Sequence, residues 1–246
     1  MEMTIKLPRR ELRDAVQGFN KVVHGKSTLP VLGCVRMAVH DNRAVAQATD
    51  LDQLVEYRFN GVEAQGEGAC IVPLCTLKDL AKGNRTETVE IHAENPQHVT
   101  LVNHVGGHAV RRPVPGMELE EWPDTNVAIQ TQPAQGFLDT YQRLTPFSST
   151  DPTRQVLNSV YVEVGEGPKP ITMVATDGRR LTSFNSMKLP LDQSVVVPVT
   201  KFLSWKALPA EVEVGLRQEQ DLTWLGVRAG AFTYLVKTLE GTYPNY

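Results

Sequence analysis

Pro8 and Pro133 stand 125 residues apart, and so do Pro73 and Pro198. Self-similarity at a fixed offset constrains a fold more than any local propensity, because it requires two copies of one unit. Each proline precedes a segment with helix-like spacing, where proline suits the first helical position because its missing N–H has no partner there. The same offset carries the apolar stripe Leu12, Val16, Phe19 and Val22 onto Phe137, Tyr141, Leu144 and Phe147, one helical face in each copy. It carries Thr28-Leu29-Pro30-Val31-Leu32 onto Thr153-Arg154-Gln155-Val156-Leu157. After a two-residue slip, Ala48-Thr49-Asp50 meets Ala175-Thr176-Asp177, and the halves close on Trp122-Pro123-Asp124 and Tyr243-Pro244-Asn245. Two homologous domains are expected, residues 1–124 and 125–246, joined by the polar stretch 124–132.

Strand-like runs fill the space between the helices. In the first half they are 35–45, 53–59, 88–92, 99–103 and 109–114, with Gly106-Gly107 as a hairpin turn and 61–68 as a glycine-rich loop. The second half repeats them at 159–164, 171–175, 181–185, 211–216, 223–229 and 232–237. Many strands with two short helices per half indicate α+β, each helix pair lying on antiparallel sheets, rather than a parallel α/β sheet.

Charge placement says more than net charge. The chain totals −3, which argues against coating nucleic acid with the whole surface but says nothing about one face. Segment 9–24 carries four Lys/Arg against two Asp/Glu, 74–85 three against one, 199–208 two against none, and 134–148 one of each. An acidic body therefore presents basic helices. One amphipathic helix with solvated lysines means little, but three that agree suit a partner with regular negative charge, the phosphate backbone, touched without reading bases. Arg10, Arg13, Lys21, Lys26, Lys78, Lys82, Lys201 and Lys206 are the expected DNA-facing residues. Neither a recognition helix nor a stacked aromatic platform is evident. Three cysteines fit a reducing compartment, and neither a membrane span nor a signal peptide is evident, so a cytoplasmic location is expected.

Several segments resemble the bacterial DNA polymerase III β subunit, the β sliding clamp family. In the first half these are Lys26-Ser27-Thr28-Leu29-Pro30-Val31-Leu32 and Ala48-Thr49-Asp50-Leu51-Asp52. In the second they are Thr153 to Asn158, Ala175-Thr176-Asp177-Gly178-Arg179-Arg180-Leu181, and Leu239 to Tyr246. The resemblance implies a DNA clamp fold, with helix pairs lining a hole, sheets outside, and edge strands of neighbouring domains pairing. It implies a processivity factor rather than an enzyme, encircling duplex DNA without sequence preference and tethering a replicative polymerase and clamp loader through peptide motifs. Lys26 falls on a DNA-contacting loop position. The peptide pocket maps onto Leu157, Thr176, Gly178, Arg179, Arg180, Leu181 and Pro244. The family's chains have three domains and close as dimers, the third domain supplying part of that pocket. This sequence stops as its second repeat ends, so a homotrimer is expected if two domains are the full chain. The alternative is a truncated or degenerate paralogue acting as a non-encircling partner-binding or regulatory module.

Two other patterns look like chemistry. Cys70-x₄-Cys75 followed by His104-x₃-His108 holds zinc-type ligands, but the gap between the pairs is too long for a compact site. Asp50 and Asp177 could be paired catalytic carboxylates, yet their equivalent places after a strand favour side-chain-to-backbone bonding in a turn. No metal, cofactor or catalytic residue is expected. An unrelated enzyme using these His, Cys and Asp residues is the remaining alternative.

Overall fold

A strand that ends in proline and turns directly into a helix opens the first unit. In the computed structural model, which describes residues 2–23, 29–84, 87–106, 108–165 and 170–246, β1 (Met3–Pro8) alternates buried and half-buried residues. α1 (Arg9–Val22) follows at once. Pro8 is the residue before the helix and still extended (φ −61°, ψ 136°), and Pro73 does the same before the next helix, so each proline ends a strand instead of occupying the first helical turn. The chain divides into two compact units, Met1–Asn126 and Val127–Tyr246.

The first unit continues with β2 (Cys34–His40), β3 (Arg43–Thr49), β4 (Gln53–Arg58), β5 (Glu63–Gly66), β6 (Gly68–Pro73), α2 (Leu74–Leu80), β7 (Thr88–Asn95), β8 (His98–Val105) and β9 (His108–Pro115). One sheet runs β5-β1-β7-β8-β9, and β4-β3-β2-β6 are neighbours in another, every pair antiparallel. α1 packs on β3 and β4, and α2 on β2 and β6. Covered by helices on one side, β2 and β3 bury residues of both parities, which is why they read as near-continuous apolar runs. Leu12, Phe19 and Val22 are fully enclosed.

The second unit contains β10 (Gln132–Pro133), α3 (Phe137–Leu144), β11 (Ser159–Glu163), β12 (Ile171–Thr176), β13 (Leu181–Met187), β14 (Val195–Pro198), β15 (Glu213–Glu219), β16 (Leu222–Ala229) and β17 (Phe232–Lys237). Its strand orders are β10-β15-β16-β17 and β13-β12-β11-β14. These repeat β1-β7-β8-β9 and β4-β3-β2-β6 strand for strand, which establishes the duplication as one of topology. α3 packs on β12 and β13, the counterparts of β3 and β4. The closing aromatics correspond as well: Trp122 packs against a cluster that contains Val31 and Ile71, and Tyr243 belongs to a cluster with Val196, the repeat equivalent of Ile71, against which Val156 packs, and stacks on Tyr161 at 4.9 Å.

Four expectations need correcting. Pro133 begins no helix: it pairs with Glu213, and α3 starts only after Gly136, which sits in the left-handed region (φ 80°). Residues 200–208 form successive hydrogen-bonded turns in place of a fourth helix. Gln142 Nε2 takes the carbonyls of Leu203 (3.0 Å) and Trp205 (3.1 Å), and Pro209 restricts the residue before it. The run 35–45 is two strands, because Asp41 and Asn42 both have positive φ (50° and 56°) and make a tight hairpin turn. Residues 63–66, expected as loop, pair with β1 as β5. Of the Gly106-Gly107 turn, Gly107 lies outside the described residues; Gly106 has φ 57°.

Tyr141 shows where the second unit departs from a copy of the first, whose equivalent residue is Val16. Its buried hydroxyl donates to Pro198 O (2.6 Å) and accepts from Thr200 N–H (3.2 Å), tying α3 to the end of β14. Tyr141→Phe leaves both backbone groups unpaired and is expected to cost roughly 1–3 kcal/mol. Urea unfolding checks it, and a loss confined to a few tenths would contradict this role.

Candidate nucleic-acid interface

On α1, Arg10, Arg13, Gln17 and Lys21 fall on one stripe by helical spacing. Arg10 is exposed, and Arg13 and Lys21 are half-buried. α2 packs alongside α1 and contributes Lys78, with Lys82 just beyond its last turn. A shallow groove of about 350 Å³ between the helices is lined by Arg13, Gln17, Lys78 and Lys82 over a floor of Val16, Ala81 and Gly83. Lys78 donates to Asn20 across it, and Lys82 pairs with Asp79 at 2.7 Å. That pair is well exposed and holds the Asp79 carboxyl below its usual range, first through the Lys82 hydrogen bond. Exposed pairs of this kind are weak and screened, so Asp79 does little to hold the Lys82 ammonium in place.

Arg13 is more than a surface cation. Its guanidinium donates to Ala81 O (3.0 Å) and Gly83 O (2.9 Å), satisfying carbonyls at the end of α2. Gln142 does the same for the turns that follow β14 in the second unit. Arg9, counted in the sequence among the outward charges, is buried: it bonds Lys82 O and Asn103 Oδ1 and lies 3.0 Å from Glu87. In the second unit Lys201 and Lys206 are exposed on the 200–208 turns, while Arg143 on α3 is paired with Asp139 at 2.9 Å. Lys26 lies outside the described residues. Arg112, on β9 and 3.9 Å from Asp79, adds a cation beside α2 that helical spacing could not find; the Arg111-Arg112 doublet was its signal.

The candidate peptide-binding residues gather at the β12–β13 hairpin. Thr176 Oγ1 accepts from Gly178 N–H (3.0 Å) and donates to Arg180 O (2.7 Å), and Asp177 Oδ1 accepts from the N–H of Arg179 and Arg180, both at 2.8 Å. Gly178 occupies the left-handed region (φ 88°), and Leu157 Cδ1 lies 3.9 Å from where its Cβ would be. Arg179, Arg180, Leu181 and Pro244 are exposed, and Arg180 stands 5.8 Å from the Phe147 ring. Tyr243, just before Pro244, belongs to the core cluster against which Val156, just before Leu157, packs. The first unit builds the same turn from Thr49 and Asp50, with Leu51 (φ 80°) in the glycine's place. Both aspartates are thus turn-formers.

The backbone N–H groups of Arg180 and Arg179, then the Arg180 side chain, hold the Asp177 carboxyl down to about 2. A carboxyl depressed by the fold stabilises it above the ordinary aspartate value of about 3.9, and that contribution is lost as pH falls through about 2. Wild-type protein should therefore loosen at this hairpin between about pH 4 and pH 2, and Asp177→Asn should flatten that part of the acid-unfolding curve. Identical curves for the two proteins would refute the assignment.

Cys70 is buried in β6, where burial drives its thiol up to about 12, while Cys75 is exposed on α2 and His104 turns to Glu90 at 3.4 Å. Among the described residues no helix is long and apolar enough to cross a membrane.

A duplicated α+β unit, with a cationic stripe on α1 and α2 of its first copy, has the architecture of the DNA clamp class. Residues 1–127 match the family model of the DNA polymerase III beta subunit, N-terminal domain. Beta sliding clamps of Escherichia coli (25% identical over 256 residues) and Pseudomonas aeruginosa (26% over 254) each align with 99% of this chain and 67% of their own length. Solved clamps from C. crescentus (TM-score 0.80, 21% identical) and Bacillus subtilis (TM-score 0.81, 19% identical) cover the whole chain and 67% of theirs, and establish the fold. The chain belongs to the DNA polymerase III β-subunit family, a family of replication processivity subunits and not of enzymes.

Proposed function

We propose that this protein is a DNA sliding clamp that encircles duplex DNA and tethers a replicative polymerase, in the cytoplasm where that DNA is. The observation that carries the reading is the α1–α2 groove, whose lysines and arginine face outward over a duplicated scaffold. Arg10, Arg13, Lys21, Lys26, Lys78, Lys82, Lys201 and Lys206 meet phosphates, loosely enough to slide because each contact is electrostatic and indifferent to sequence. Residues 1–124 and 125–246 serve as the first and second clamp domains. The hairpin residues Leu157, Thr176, Gly178, Arg179, Arg180 and Leu181, with Pro244, take peptide motifs of the polymerase and clamp loader, an apolar slot rimmed by arginines.

The chain spans about two-thirds of its clamp relatives. If the two domains are the full chain, three copies supply the six domains of a closed ring, joined head to tail by an interface whose rotation closes. Multi-angle light scattering tests this: a particle near three times 27.3 kDa is expected. A monomer at every concentration tested would overturn the ring and favour a non-encircling regulatory module.

A further inference from the structure

The first unit carries its own version of the β12–β13 hairpin, and two leucines there are turned to water: Leu29 is 48% exposed and Leu51 42%. Exposed leucines scattered singly are ordinary, but the duplication brings these two together. Leu51 stands where the second unit has Gly178, and a Cβ at Gly178 would lie 3.5 Å from Arg154 Nη1 and 3.9 Å from Leu157 Cδ1. The repeat counterparts of Arg154 and Leu157 are Leu29 and Leu32, so the Leu51 side chain leaves the backbone toward those two leucines. Leu32 anchors that side in a buried cluster with Val31, Cys34 and Ile71. The turn itself holds Leu51 at φ 80°, because Thr49 Oγ1 and Asp50 Oδ1 take the N–H groups of Leu51, Asp52 and Gln53 at 2.6–3.1 Å. Any residue with a Cβ is disfavoured there, and glycine is not.

We propose that Leu29 and Leu51 form a docking surface in the first unit for a partner-protein segment that presents aliphatic side chains flanked by lysine or arginine. The strained conformation of an exposed leucine is the first support: the turn would close more easily on glycine, so the side chain is kept for what it touches. Charge selects the partner. Asp52 is exposed beside Leu51, and the 3₁₀ turn Leu119–Glu121, which packs on the Leu32 cluster through Leu119, carries exposed Glu120 and Glu121. Burial, then the charges of Cys75 and Glu121, push the thiol of Cys34 in that cluster up to about 11, which sets the Glu121 carboxylate close to the cluster. Segments 29–33, 49–53 and 117–124 contain no lysine or arginine, whereas their counterparts in the second unit include Arg154, Arg179 and Arg180. The duplication thus keeps the turn and reverses the charge around it. A basic segment is attracted to the first unit and repelled by the second, and an acidic one the reverse, so the two hairpins sort partners by sign.

The test uses the full chain and a short fluorescein-labelled peptide that alternates leucine with lysine, with a twin that alternates leucine with glutamate, both followed by anisotropy. The lysine peptide should bind saturably and the glutamate peptide should not. Its affinity should fall by about tenfold or more in Leu51→Gly, and likewise in the double variant Asp52→Lys with Glu121→Lys. It should stay unchanged in Leu222→Ser, which removes an exposed leucine of the second unit. Leu51→Gly should melt no earlier than wild type, since glycine relieves the turn, so lost binding there is not lost folding. No saturable binding of the lysine peptide, or binding that Leu51→Gly leaves intact, would overturn the surface. Earlier melting of Leu51→Gly would overturn it too, by making Leu51 a packing residue. So would a lower oligomeric mass of that variant in light scattering, which would give the patch to a second copy of the chain.

Discussion

Arg9→Met is expected to destabilise the first unit by roughly 2–4 kcal/mol, the largest effect anticipated for any one side chain. Arg9 is 2% exposed and joins three segments: the start of α1, the carbonyl of Lys82 beyond α2, and Asn103 on β8. Methionine fills much of the same space but donates nothing, so Lys82 O and Asn103 Oδ1 lose a charged donor in a sheltered place. The Glu87 pair adds less, because that carboxylate is 39% exposed and water screens it. Gly83 makes the same point from the other side. A Cβ there would lie 1.8 Å from Arg9 Nη1, so Gly83→Ala should displace the guanidinium and reproduce much of the loss. Urea unfolding of Arg9→Met measures the cost; a change under about 0.5 kcal/mol, the scale of a surface substitution, would show that the guanidinium is not structural.

Neutralising Lys78, Lys82, Lys201 and Lys206 together should produce the largest functional effect. Each lysine that no longer meets a phosphate should lower the slope of log affinity against log salt by about 0.9. Removing four such charges from one chain corresponds to a slope change of about 3–4 and, at low salt, to a fall in affinity of about a hundredfold or more. The fall should be equal on A·T-rich and G·C-rich duplexes, because no base edge is read. Fluorescence anisotropy over a range of KCl concentrations is the measurement. These lysines are the informative choice because Arg13 also anchors α2, and removing it would mix stability with binding. An unchanged slope, or a weakening confined to some sequences, would reject the assignment.

The duplication was legible in the sequence because its markers sit where the backbone has few options. Prolines end equivalent strands at 73 and 198, and Thr-Asp pairs close equivalent hairpins at 49–50 and 176–177. What sequence could not give came from contacts between distant segments. Gln142 takes the carbonyls that a fourth helix would have used. Arg9 falls beside the apolar stripe, three residues before Leu12, but its charge makes it read as outward, and only Asn103 on β8, Lys82 and Glu87 supply the partners that let it be buried. β5 and β10 have four and two residues and show no period of their own. At the candidate site, the lysines were recoverable from charge counting and Arg112 only as half of an Arg-Arg doublet, because its place beside α2 is set by strand pairing.

Ring closure is best tested by imaging the protein on short duplex DNA and averaging single particles. A toroid of six like lobes with the duplex through its centre is the predicted result. Isolated two-lobed particles lying beside the DNA, at concentrations where binding is saturated, would contradict it.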